Sequence, residues 1–223
     1  MTNFGLITEG LTDQIVIENI LAGYFNNPDL NIRPLQPERD KDDENKFTGY
    51  GSWSQVFAYC RSRDFRESFQ FNDYIIIQID TDTSQDYGIP QQDENGDLIP
   101  EKLIEKVIAK FKQEIGEDFY SKFQQRIIWA ISVHSLECWL LPLYYKNNKK
   151  SKFKSCLKTL NKELVKQHSF TIDAKNPEYY RTISQQYSKH KVLMACYQDN
   201  PSLASFVVEI ESKKIAAVLE EDW

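Results

Sequence analysis

The chain is poor in the residues that build soft-metal and redox centres. It has 3 histidines and 4 cysteines in 223 residues, and Cys60, Cys138, Cys156 and Cys196 form no Cys-x-x-Cys pair. That scatter reads as reduced, buried thiols rather than a disulfide framework or a zinc site, so any metal should be held by oxygen. With no run of about 18 apolar residues, a membrane-spanning helix is not expected. The segment MTNFGLITEG has neither the basic region nor the apolar block of a secretory leader, and the expected location is the cytoplasm. A GxxxxGK[ST] nucleotide loop is missing as well. The net charge of -6 removes a global attraction to nucleic acid but leaves room for a local one.

Charge is present in blocks. Residues 38–46, ERDKDDENK, and 93–97, DENGD, read as acidic loops, while 146–158, KNNKKSKFKSCLK, carries six lysines. Such a run is usually a solvated helix face. In a nucleic-acid-binding protein Lys146, Lys149, Lys150, Lys152 and Lys154 would instead hold backbone phosphates, which gives affinity without sequence choice.

Apolar periodicity predicts strands at 3–8, 30–35, 74–79 and 126–133, separated by helices at 11–24, 52–69 and from Pro100 through EKLIEKVIAKFKQEI. Thr12 is the expected cap of the first helix, and 36–51 reads as loop. The order β, α, β, α, β, α, β implies a mostly parallel central sheet flanked by helices, a Rossmann-like α/β arrangement. From Leu136 onward only helical patterns follow, ending near Leu219. The expected organisation is an α/β unit over 1–145 with a helical C-terminal extension over 146–223.

The strongest strand, IIIQIDTD, runs straight into Asp80 and Asp82. Two carboxylates so close repel each other unless water, donors or a cation meets them. Strand period puts both on one side. In open parallel sheets ligands sit beyond the carboxyl ends of the strands, and there Glu9 closes the first strand and Glu137 follows the last, in SVHSLECWLL. Ser135 is the expected cap of the helix bearing Glu137. Hard oxygen donors of this sort suit Mg2+ or Mn2+. Asp13 and His134 are candidate supporting residues. Each also has an ordinary reading: a turn for Glu9, a loop exit for the aspartate pair, dipole stabilisation for Asp13 and Glu137, and a packed histidine.

ITEGLTD, IIIQIDTD and SVHSLECWLL together resemble the blocks of TOPRIM domains, and more narrowly those of small stand-alone prokaryotic TOPRIM-like proteins related to overcoming-lysogenisation-defect nucleases. The resemblance covers residues 3 to 145. It implies a catalytic Glu9, a metal-binding pair Asp80 and Asp82, and an acid at Glu137, with Asp13 standing where the narrower family often has Glu. The glycine that often follows the family's Asp-x-Asp is missing; Thr83, Ser84 and Gln85 come next. The expectation is a metal-dependent nuclease acting on DNA or RNA in anti-phage defence or mobile-element biology, with an ATPase as partner and oligomeric assembly left open. The alternative is a catalytically weak binding or regulatory subunit. A small-molecule phosphotransferase or phosphatase is a third reading.

Overall fold

The computed structural model describes residues 2–39, 52–94, 96–173 and 175–215. The loop expected over 36–51 lies mostly outside the described residues, as does the end of the last expected helical stretch. The sheet is built from β1 (Asn3–Ile7), β2 (Asn31–Gln36), β3 (Tyr74–Asp80) and β6 (Ile127–Ser132), in the order β2-β1-β3-β6. All three pairings are parallel, with Leu6 opposite Ile76 and Asp80 opposite Ser132. A minimal antiparallel hairpin, β4 (Gln92–Asp93) and β5 (Gly96–Asp97), stands where an acidic loop was expected.

α1 (Leu11–Phe25) connects β1 to β2, and α2 (Trp53–Arg61) and α3 (Arg63–Ser68) precede β3. The single helix expected over 52–69 is therefore two. Ser62 breaks it with an extended backbone, and its hydroxyl then caps α3 by accepting from the Phe65 amide. α4 (Pro100–Ile115) and α5 (Glu117–Phe123) lead into β6. The chain then continues as α6 (Glu137–Tyr144), α7 (Cys156–His168), α8 (Pro177–Ser184), α9 (His190–Cys196) and α10 (Pro201–Ser212).

Strand alternation sorts the core into two layers. Ile75, Ile77 and Ile79 of β3 face one way and pack with residues of α2, α3 and α4. Ile76 faces the other way, into a cluster formed by α1 and the helices from α6 to α10. This second cluster runs without interruption across position 145. Among the described residues no helix is long and apolar enough to cross a membrane.

One expectation fails at the cysteines. Cys138 in α6 and Cys156 at the start of α7 form a disulfide, with Cα atoms 5.0 Å apart, while Cys60 and Cys196 are free. Spacing in the sequence carried no sign of this, because the pairing depends on how α7 folds back onto α6. A non-reducing thiol titration of the unfolded chain is expected to count two thiols before reduction and four after it. Closing a loop of this length contributes about 3 kcal/mol. Four thiols in carefully oxidised material would contradict the pairing.

Candidate functional site

Parity along β3 decides where the acidic residues meet. Asp80 shares its side of the sheet with Gln78 and Ile76, so it faces α1 and the C-terminal helices rather than α2 and α4. The topology reinforces this. β2 follows β1 on one side and β3 adjoins it on the other, so the chain reverses its direction of winding between β1 and β3, the place where open α/β sheets bind ligands. Glu9 leaves β1 at that crevice.

The contacts there are close. Glu9 Oε1 accepts from the Asp80 amide at 2.7 Å, and the Glu9 amide donates to Gln78 Oε1 at 3.1 Å. Gln78 Nε2 then donates to Asp80 Oδ1 at 2.9 Å. The fully buried Gln78 thus ties the two strand ends together. The same Asp80 oxygen accepts from the Leu136 amide at 3.1 Å, at the positive end of α6. This corrects the expected Ser135 cap: no side chain at the cap position of α6 serves its amides, and Asp80 reaches across from β3 instead. Thr12 is likewise not the cap of α1. The cap position is Gly10, and a Cβ there would lie 3.1 Å from Asp13 Oδ2, so glycine lets the Asp13 carboxylate fold back over the turn.

Asp13, on the first turn of α1, and Glu137, on the first turn of α6, are both buried. Tyr180 of α8 donates its hydroxyl to Glu137 Oε1 at 2.5 Å. Asp82 differs from Asp80 in a way that strand period did not foresee. β3 ends at Asp80, and Asp82 lies beyond it in a turn, exposed at the rim. That turn is fixed by Gln91 Nε2, which donates to the Thr81 and Asp82 carbonyls, both at 2.7 Å. His134 supports it from the other side. Its carbonyl accepts from the Thr81 and Asp82 amides, both at 2.9 Å, and its own amide donates to Thr81 Oγ1 at 2.7 Å. The His134 ring lies against Phe153, and burial, with Lys154 nearby, lowers its pKa.

Electrostatics bind the group into one unit. Burial, then the charges of Asp13 and Asp82, push the Glu9 pKa up to about 7. Burial and the Glu137 charge raise Asp13 to about 6 against the pull of Lys175. For Asp80, burial and the neighbouring charges of Asp13, Glu9 and Glu137 raise it well above the usual carboxylate range. Asp82 is raised too, by partial burial and Glu137, with Lys175 and the Thr83 amide opposing.

Lys175 is the residue that sequence reasoning missed. It sits between α7 and α8, and its segment DAKNPEYY carries no signal that would bring it to the sheet edge. The residue is exposed overall; partial desolvation of its ammonium works against the charge, but Asp13, Asp80, Glu137 and Glu9 outweigh that and raise its pKa. Gln78 was legible in principle, since a glutamine in the middle of an all-apolar strand must find polar partners.

The lysine run is largely consumed by the fold. Lys150 pairs with Asp199 at 2.5 Å, Lys154 pairs with Asp97, and Lys152 donates to Thr159 Oγ1 at 3.1 Å. Lys149 lies over the Tyr145 ring, and Lys146 is exposed. As a phosphate-binding row, three of the five expected lysines are therefore already engaged.

For a divalent cation the donors are chemically suited, being hard carboxylate oxygens at high local negative charge. Their arrangement is less complete: Asp80 Oδ1 and Glu9 Oε1 already accept amide protons, and among the described residues no group of three or more His, Cys, Asp or Glu side chains stands ready to hold a metal.

A pH dependence follows for the metal-free protein. Unfolded carboxylates protonate near pH 4, whereas folded Glu9 and Asp13 keep protons up to about 7 and about 6. The folded state holds more protons across that window, so stability falls as pH rises through it. Each pKa unit corresponds to about 1.4 kcal/mol. Denaturant unfolding in EDTA should therefore give a lower midpoint at pH 8 than at pH 5.5; a higher midpoint at pH 8 would contradict the carboxylate cluster.

Compared with protein-family models, with curated proteins and with solved structures, the chain matches none.

Proposed function

We propose that the chain is a TOPRIM-like nuclease that cleaves phosphodiester bonds of DNA or RNA with Mg2+ or Mn2+. The observation that carries this reading is the convergence of Glu9, Asp13, Asp80, Asp82 and Glu137 at the carboxyl edge of the sheet, where burial and the neighbouring carboxylates raise the pKa values of Glu9, Asp13, Asp80 and Asp82. Glu9, Asp80 and Asp82 would hold the metal. A divalent ion held there would supply Lewis-acid polarisation of a phosphoryl oxygen and would stabilise charge on the leaving oxygen. The chain's own residues do the rest. In the metal-free protein Glu9, with a pKa of about 7, can hold or release a proton near neutrality, and a bound cation would lower that value. Gln78 fixes Glu9 relative to Asp80, and Tyr180 fixes Glu137. Lys175 contributes a positive charge beside them. An ATPase partner belongs to the same proposal, as the family resemblance implies.

A second reading is a binding or regulatory subunit with little or no catalysis. It is favoured by the Lys175 ammonium already partly neutralising the cluster and by the incomplete metal arrangement. Assays of the purified chain on single-stranded DNA, plasmid DNA and structured RNA with Mg2+ or Mn2+ separate the two. The nuclease reading expects cleavage that falls at least about 100-fold in Glu9→Gln and in Asp80→Asn while both stay folded. Absence of cleavage with either metal, alone or with an ATPase, decides for the binding subunit.

A further inference from the structure

The outer face of α7 borders a groove whose lining shares no residue with the acidic edge. An open groove of about 640 Å³ runs along this helix, and its rim is cationic: Lys149, Lys158, Lys162 and Lys166 line it. Lys158, Lys162 and Lys166 recur every four residues, so helical geometry alone sets them in one row. Lys166 shares its charge with Glu163 at 3.2 Å, and all four lysines are exposed. The floor is different in kind. Leu157 and Val165 line it together with Tyr145, and Val165 is 52% exposed although apolar. The one acidic lining residue, Asp173, is held by Asn161 Nδ2 at 2.9 Å.

We infer that this groove binds a single-stranded segment of nucleic acid, phosphates on the lysine row and base faces on the Leu157–Val165 floor. Charge complementarity selects a polyanion in a protein whose net charge is -6. The apolar floor selects a single strand, because a duplex presents its backbone and groove edges but hides the base faces, whereas an unpaired strand offers both. The groove is also of the size that takes a nucleotide-scale ligand.

Its position adds a link to the acidic edge. Asn161 grips the segment after α7 twice, accepting from the Ile172 amide at 3.0 Å and donating to Asp173. Two residues further along the chain stands Lys175, whose pKa the charges of the carboxylates raise. A strand lying in the groove is thereby held beside the element that places the site's lysine. The inference rests on the nuclease reading for this link, but the binding it asserts is separate from cleavage.

The test is fluorescence anisotropy with a labelled 20-nucleotide DNA strand, its RNA equivalent and the matching duplex, all in EDTA over a salt series, on the full chain. Lys158→Gln with Lys162→Gln is compared with Lys102→Gln with Lys106→Gln on the exposed side of α4. Wild type is expected to bind at least one of the single strands more tightly than the duplex. The α7 pair should weaken this about tenfold at ~0.1 M salt and reduce the salt slope by roughly 1.4, near 0.7 for each phosphate no longer neutralised. The α4 pair should change it less than about twofold. Equal weakening by both pairs, preference for the duplex, or no binding of either strand overturns the inference. Groove-dependent binding without cleavage under any metal sustains it and removes the nuclease reading; metal-dependent cleavage with KM unchanged in the α7 pair does the reverse.

Discussion

Asp80→Asn is expected to give a protein that is more stable than wild type in EDTA at pH 8 and, on the proposed nuclease reading, unresponsive to Mg2+ or Mn2+ and cut in activity by on the order of 10^3. The substitution retains the oxygen that accepts from Gln78 Nε2 and the Leu136 amide, so the strand-end geometry has no reason to change. It removes a carboxyl group whose ionisation burial and the charges of Asp13, Glu9 and Glu137 all oppose. At an effective dielectric of about 20, two like charges roughly 5–6 Å apart repel by about 3 kcal/mol. Weaker hydrogen bonds to a neutral acceptor and a smaller attraction to Lys175 return part of that, leaving a net gain of about 1–2 kcal/mol. Wild type should gain about 2.7 kcal/mol from a divalent ion at 100 times its Kd. Thermal unfolding with and without metal, beside the cleavage assay, reads all three effects. A destabilised variant that still responds to metal would show that Asp80 is a structural cap of α6 and no ligand.

Gly23→Ala should lower the melting temperature by roughly 6–12 °C. Gly23 lies on α1 where the turn before α9 crosses it, and an added Cβ would sit 1.8 Å from the Tyr187 carbonyl oxygen and 3.0 Å from its carbon. Both obstacles are backbone, so no rotamer change relieves them. Alanine's better helix propensity gains about 1 kcal/mol, and forced separation of two packed segments costs more, for a net loss of about 3 kcal/mol. Tyr187 is fully buried and its hydroxyl donates to the Trp139 carbonyl in α6. The disturbance therefore reaches the helix that carries Glu137. A variant that melts with wild type would mean that α1 and the crossing turn can part at Gly23 with little effort.

The parts of the fold legible in the sequence were those with a period. The unbroken Tyr74–Ile79 run declared a strand covered on both faces, and the 3–4 spacing in KLIEKVIAKF declared α4. What failed was local chemistry overridden by distant partners. Ser135 gave up its capping role to Asp80, and Thr12 gave up its own to Gly10, because a donor or acceptor from another element satisfied the helix end or the turn needed the space. The same holds for the site. Glu9, Asp13, Asp80 and Glu137 were readable as residues at strand exits and in the helix turns just beyond them, and the structure brings them together. Lys175 and the Cys138–Cys156 pair were not, since each depends on the return path of the helices after α6.

The two sides of the sheet carry unequal burdens. On the side of α2 and α4 the strands meet mainly hydrocarbon and aromatic rings, such as the stacked Phe57–Phe111 pair, with the Tyr87 hydroxyl donating to the Asp80 carbonyl. Volume-conserving exchanges there are tolerated best and leave every charged group in place. An engineer seeking a hardier protein would work on that side, where tighter filling can raise the melting point while the crowded carboxylates of the opposite side stay untouched.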